Sequence, residues 1–164
     1  MKLRKLPLSE YALYTAVVLI GILLDQLTKW LAVTFLKPVD TVPIIKGVLQ
    51  LNYETNKGAA FGMLSDNRWV FMSVSVVAIL AMVFYLFSGL SEGKLSGVAL
   101  AMLISGGIGN MIDRISLGYV VDFIDFCLIN FAVFNGADSF VCVGAGLLIL
   151  SLVIEIVRER KEKS

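Results

Sequence analysis

The chain of 164 residues contains no histidine. That absence excludes a Ser-His-Asp triad, a Cys-His nucleophile pair and every histidine-ligated metal site. Cysteine occurs twice, as Cys127 and Cys142, too few and too scattered for a disulfide framework or a zinc knuckle. Both cysteines read as packing residues, with a Cys127–Cys142 bridge as the alternative. Charge is scarce as well: Asp, Glu, Lys and Arg make up 16% of the chain, where a soluble domain carries about 25%. Net charge is +1, so the chain has no basic field for nucleic acid. No set of residues suggests a metal or a cofactor.

What the chain has in excess is apolar. Hydrophobic residues reach 58% and mean hydropathy is +0.86, which point to a membrane protein. A membrane helix needs roughly 20 mostly apolar residues. Four windows qualify, at about 11–30, 69–87, 95–115 and 137–157. Tyr11, Trp30 and Trp69 fall near their ends, where interfacial aromatics belong. The basic start followed by an apolar run has the outline of a signal peptide, but no small-x-small cleavage site follows and the run continues through LLDQLTKWLAVTFL. Lys2, Arg4 and Lys5 precede the first window; Arg158, Arg160, Lys161 and Lys163 follow the fourth. By the positive-inside rule both termini are cytoplasmic. Residues 37–68 and 116–136 are then outer segments. In the first, Pro38, Pro43 and Gly47 break any helix, and GVLQLNY alternates like a short strand. It reads as part of a small surface sheet or as a simple connector. The expected fold is an all-α membrane protein with four transmembrane helices, both termini cytoplasmic and a small extracytoplasmic β-sheet after the first helix. Residues 1–164 form a single integral-membrane domain.

Ionisable residues within such spans are rare and usually functional. Asp25 and Lys29 are spaced i,i+4 for an ion pair on one helix face; alternatively Asp25 braces or lines a site. In ISGGIGNMIDRIS, Ser105 and Gly109 make a small-xxx-small face for close helix approach. Asn110, Asp113 and Arg114 follow, either as a polar clasp between helices or as support for catalytic groups. FNGADSF opens the fourth span, and Asn135 with Asp138 is close to a capping box. GYVVDFIDF places Asp122 and Asp125 among apolar residues, where an ionised carboxylate is costly unless paired. Their spacing does not choose between them: on a strand they face opposite ways, on a helical turn they share a side. Topology brings Asp122 and Asp138 to the same membrane face. Two close carboxylates share a proton, and such a pair can activate water and polarise a peptide carbonyl.

The motifs LLDQLTK, TNKGAAFG, GGIGNMIDR, GYVVDFIDF and FNGADSF, in that order on four spans, resemble the lipoprotein signal peptidases (signal peptidase II). The resemblance covers nearly the whole chain. It implies an aspartic endopeptidase of the bacterial plasma membrane, active toward the extracytoplasmic face. Such an enzyme removes signal peptides from diacylglyceryl-modified prolipoproteins, cutting before the lipidated cysteine. The implied partners are those prolipoproteins and membrane lipid, with no nucleic acid, and the expected state is a monomer. The family's catalytic dyad falls on Asp122 and Asp138. Its supporting positions fall on Asn56, Asn110, Asp113, Arg114, Asn135 and Asp25. Gly136 departs from the pattern, since members usually carry a larger apolar residue there. Three rival readings remain: a Ser/Lys peptidase using Ser139 and Lys29, a proton-coupled carrier, and a noncatalytic scaffold whose polar residues only clamp helices.

Overall fold

A computed structural model describes residues 5–58, 68–91, 93–129 and 131–162. Lys2, Arg4 and Lys163, and the AAFG half of TNKGAAFG, lie outside the described residues. Four α-helices form where the apolar windows predict them. They are α1 (Leu8–Leu31), α2 (Arg68–Phe87), α3 (Gly93–Ser116) and α4 (Gly136–Glu162). A π-helical turn, Ala32–Leu36, extends α1. Among the described residues, three helices are long and apolar enough to cross a membrane: Leu8–Leu36, α3 and α4. The second window supplies a shorter apolar stretch, Met72–Phe87.

Contacts at the two ends set the helix directions. The Tyr11 ring stacks on Phe87 at 5.8 Å and its hydroxyl donates to the Phe87 carbonyl at 3.2 Å. The start of α1 thus meets the end of α2. At the other end, side chains late in α1 and α3 meet the first turn of α4. Successive helices therefore alternate in direction. Tyr14, Leu86, Leu100, Ala101 and Ile104 form the core between α1, α2 and α3. Outward-facing positions stay apolar: Leu23 is 68% exposed and Phe84 70%. A lipid-facing surface accepts such side chains, because every helical backbone group is already hydrogen-bonded within the segment.

The small-residue face acts as its spacing predicts. Ser105 of α3 lies against Gly21 of α1, and Asp25 of α1 lies against Gly109 of α3. Any Cβ at Gly109 would run into the Asp25 carboxylate. Glycine is required there, because the approach of α1 carries the polar groups of both helices into one cluster.

The sheet is antiparallel with order β1-β2-β3: β1 (Thr41–Ile45), β2 (Leu49–Asn56) and β3 (Val120–Asp125). Pro43 is tolerated because β1 is an edge strand. The expected sheet after the first helix is therefore present but incomplete by itself. Its third strand comes from the segment between α3 and α4. That segment is no plain loop: just past the end of α3 lies Gly118 with φ of 88°, a left-handed residue that turns the chain back. Val121 and Phe123 pack on Ala32 and Leu36 beneath the sheet. Strand alternation then places the Asp122 side chain on the other face. After β3 the chain folds back once more. Phe134 and Ile124 exchange backbone hydrogen bonds of 3.0 and 2.8 Å, which delivers the next residue, Asn135, beside Asp122.

Candidate active site

The site lies where α1 and α3 end, α4 begins and β3 crosses. Four of its charged groups are deeply buried: Asp25, Lys29, Asp113 and Asp122 are each 3% exposed or less. Burial of this kind is tolerated only when charges are paired and hydrogen bonds satisfied.

The predicted Asp25–Lys29 ion pair forms at 2.9 Å. Lys29 also reaches across to α3, pairing with Asp113 at 3.2 Å and donating to the Asn110 amide oxygen at 2.9 Å. Asp25 also holds the start of α4, its Oδ1 accepting the backbone N–H of Ala137 at 2.8 Å. Asp113 ties α3 to β3, its Oδ2 accepting the Val121 N–H at 3.0 Å. Gln26 donates to Asp113 at 3.0 Å and to Asp25 and the Gly109 carbonyl at 3.2 Å each.

Asn135 and Asp138 form the capping box that their spacing predicts. The Asn135 side-chain oxygen accepts the Asp138 N–H at 3.0 Å, and Asp138 Oδ2 accepts the Asn135 N–H at 3.2 Å. The same asparagine turns its amide NH2 to Asp122 Oδ1 at 2.6 Å. Asn135 therefore bridges the two carboxylates, backbone to one and side chain to the other. Asn56 donates to Asp122 Oδ2 at 3.1 Å, its own oxygen being held by the Gly58 N–H at 3.0 Å. Asn110 donates to Asp138 Oδ1 at 2.7 Å. Arg114 donates to the carbonyls of Gly58 (3.2 Å) and Asn110 (3.4 Å), joining α3 to the end of β2.

Burial first, and then the negative charge of Asp138, push the Asp122 carboxyl up to about 7. The amides of Asn56 and Asn135 and the Lys29 charge pull the other way and are outweighed. Asp125 stands apart, accepting from Gln50 of β2 at 2.7 Å. It is a strand-pairing residue, as the Gln50–Asp125 register requires. The geometry thus separates the two aspartates of GYVVDFIDF. Ser139 donates its hydroxyl hydrogen to the Asn135 carbonyl at 3.0 Å, while Lys29 is committed to Asp25, Asp113 and Asn110. That arrangement does not form a Ser/Lys pair. Gly136 starts α4, and a Cβ there would sit 3.4 Å from Thr28 Oγ1, an ordinary contact.

Residues 17–154 match the signal peptidase (SPase) II family. The chain belongs to that family. Among its relatives, the lipoprotein signal peptidase of Halalkalibacterium halodurans is 40% identical over 154 residues, covering 93% of this chain and 99% of that one. The lipoprotein signal peptidase of Caldanaerobacter subterraneus subsp. tengcongensis is 47% identical over 127 residues, covering 77% and 86%. A bacterial membrane enzyme solved by the in meso method superposes with a TM-score of 0.83 at 29% identity, covering 95% of this chain and 94% of that one. This signal peptidase II family member is a peptidase and a multi-pass bacterial membrane protein. All eight site residues predicted from the sequence lie in or beside one polar cluster. Sequence reasoning missed Gln26, which carried no signal beyond its place between Asp25 and Lys29. Lys29 was visible as half of a local pair and as a rival catalytic lysine, but its reach to Asp113 and Asn110 was not.

Proposed function

We propose that this peptidase is an aspartic endopeptidase whose dyad is Asp122 and Asp138, acting on diacylglyceryl-modified prolipoproteins. The observation that carries the proposal is the bridge through Asn135, which binds both carboxylates at once. Lys29 and Arg114 stand against four carboxylates, Asp25, Asp113, Asp122 and Asp138. One shared proton on the dyad lowers that excess of negative charge. Asp122, pushed up to about 7, is the member that holds it.

The chemistry then runs as in other carboxylate pairs. Asp138 takes a proton from a water as its oxygen adds to the scissile carbonyl carbon. Asp122 gives its proton to the carbonyl oxygen. As the C–N bond breaks, Asp138 passes its proton to the leaving amine, and Asp122 recovers one from the hydroxyl of the forming acid. The dyad ends with the single proton it began with. The leaving amine belongs to the lipidated cysteine, and the acid to the signal peptide.

The signal helix reaches the site sideways from the bilayer, with α2 completing a four-crossing bundle. Both termini are cytoplasmic, and the sheet and dyad face the extracytoplasmic side. A monomer suffices, since one chain supplies every group in the cluster. The test is gel-shift cleavage of a diacylglyceryl prolipopeptide by wild type, Asp122→Asn and Asp138→Asn. Both variants are expected to fold and to lose turnover. Turnover retained in either one refutes the dyad.

A further inference from the structure

Lys29 is 3% exposed and sits at the centre of the polar cluster, yet the reaction above does not use it. Two of its contacts, to Asp25 and Asp113, compensate charge. The third acts on a group that touches the dyad. An ammonium has three hydrogens and no acceptor. It can face only the oxygen of the Asn110 amide, at 2.9 Å. The amide NH2 then faces Asp138 Oδ1 at 2.7 Å. Turned over, the amide would set NH2 against ammonium and oxygen against carboxylate.

Asn135 also donates to the Asn110 oxygen, at 3.0 Å. Its hold is shared, because the same nitrogen reaches the Val121 carbonyl at 3.3 Å and Asp122 at 2.6 Å. An amide has two hydrogens for those three acceptors. Lys29 has one hydrogen for each of its own three.

We infer that Lys29 is a positioning residue of the dyad: its ammonium fixes the orientation of the Asn110 amide, and through it the Asp138 carboxylate. The inference rests on the aspartic reading. The competing role is charge compensation alone. Lys29→Met by itself leaves buried carboxylates uncompensated and confuses the two. Two double variants separate them. Lys29→Met with Asp25→Asn, and Lys29→Met with Asp113→Asn, each remove one positive and one negative charge. Each keeps an amide oxygen for the backbone N–H, of Ala137 or Val121, that the aspartate holds. Positioning predicts folded proteins whose kcat falls about 100-fold, the scale of a misplaced reacting group, with KM within about twofold of wild type.

Wild-type kcat in either folded double variant overturns the inference. Should neither fold, Lys29→Arg still exposes the inference to refutation, since it keeps a donor-only cation. Its kcat is expected within about tenfold of wild type, and a folded Lys29→Arg as inactive as Asp138→Asn overturns the inference. Asp122→Asn runs alongside. Turnover surviving there strikes the dyad itself, and the Lys29 inference falls with it. Turnover lost there but intact in the double variants strikes only Lys29.

Discussion

Replacing Asp122 with Asn should abolish cleavage yet leave the protein as stable as wild type, or more so, above neutral pH. The carboxyl is pushed from 3.8 up to about 7. Each unit of that shift corresponds to about 1.4 kcal/mol, so the ionised form carries a penalty of roughly 4 kcal/mol at pH 8. The sign follows from proton counting. Between pH 4 and 7 the folded state holds a proton that the unfolded chain has released. Folding stability therefore falls as pH rises through that window, and is free of the penalty below it. The substituted amide keeps the shape without the charge. It gives up one acceptor, so either Asn56 or Asn135 must face an NH2, at about 1–3 kcal/mol. The two effects nearly balance at pH 8, whereas at pH 4 only the loss remains. Thermal unfolding in detergent, followed through Trp30 and Trp69 at several pH values, reads this directly. The gap between wild type and variant should close or reverse from pH 4 to pH 8. A wild-type midpoint that runs parallel to the variant across that range refutes the raised carboxyl and the account of its burial.

The other substitutions sort the cluster by role. Asp125→Asn should leave cleavage within about twofold of wild type, since an amide oxygen still accepts from Gln50 and a strand-pairing contact adds little to turnover; a prolipopeptide gel shift checks it. Asn135→Ala removes the cap of α4, at about 1 kcal/mol, together with the bridge to Asp122. Turnover should fall about 100-fold or more, measured under single-turnover conditions. Asp25→Ala leaves Lys29 with one carboxylate fewer and the Ala137 N–H without its acceptor. A loss of about 3–5 kcal/mol is expected for breaking a buried pair, seen as a lowered unfolding midpoint, and Asp25→Asn should recover part of it.

Much of the bundle is legible in the sequence because it rests on local properties. Apolar runs place the helices to within a few residues, and i,i+4 spacing predicts the Asp25–Lys29 pair. The third strand is not legible. VVDFID becomes a strand only by pairing with β2, more than sixty residues earlier. Lys29 is half-legible for the same reason. Its partner four residues away is visible, but Asp113 and Asn110 are brought to it only by the packing of α1 on α3. Eight members of the polar cluster could be drawn from the resemblance residue by residue, while Gln26 and the wiring could not.

Asn135 and Asp138 show why local and functional readings need not compete. From spacing alone they were alternatives, a helix cap or a catalytic position. In the structure one residue serves both: Asn135 caps α4 and holds the Asp122 carboxylate. The Asn135 N–H and the Asp138 carboxylate close the box, and the Asn135 side-chain NH2 reaches Asp122. Any solvated helix can carry Asn-x-x-Asp at its start and need nothing more from it. What sets this one apart is depth: Asn135 is fully buried and Asp122 is 2% exposed. A cap needs no such burial, and a carboxylate placed there is penalised unless something requires it. The functional signal thus lies in the burial of Asn135 against Asp122 rather than in the motif, and burial depends on contacts between segments far apart in the chain.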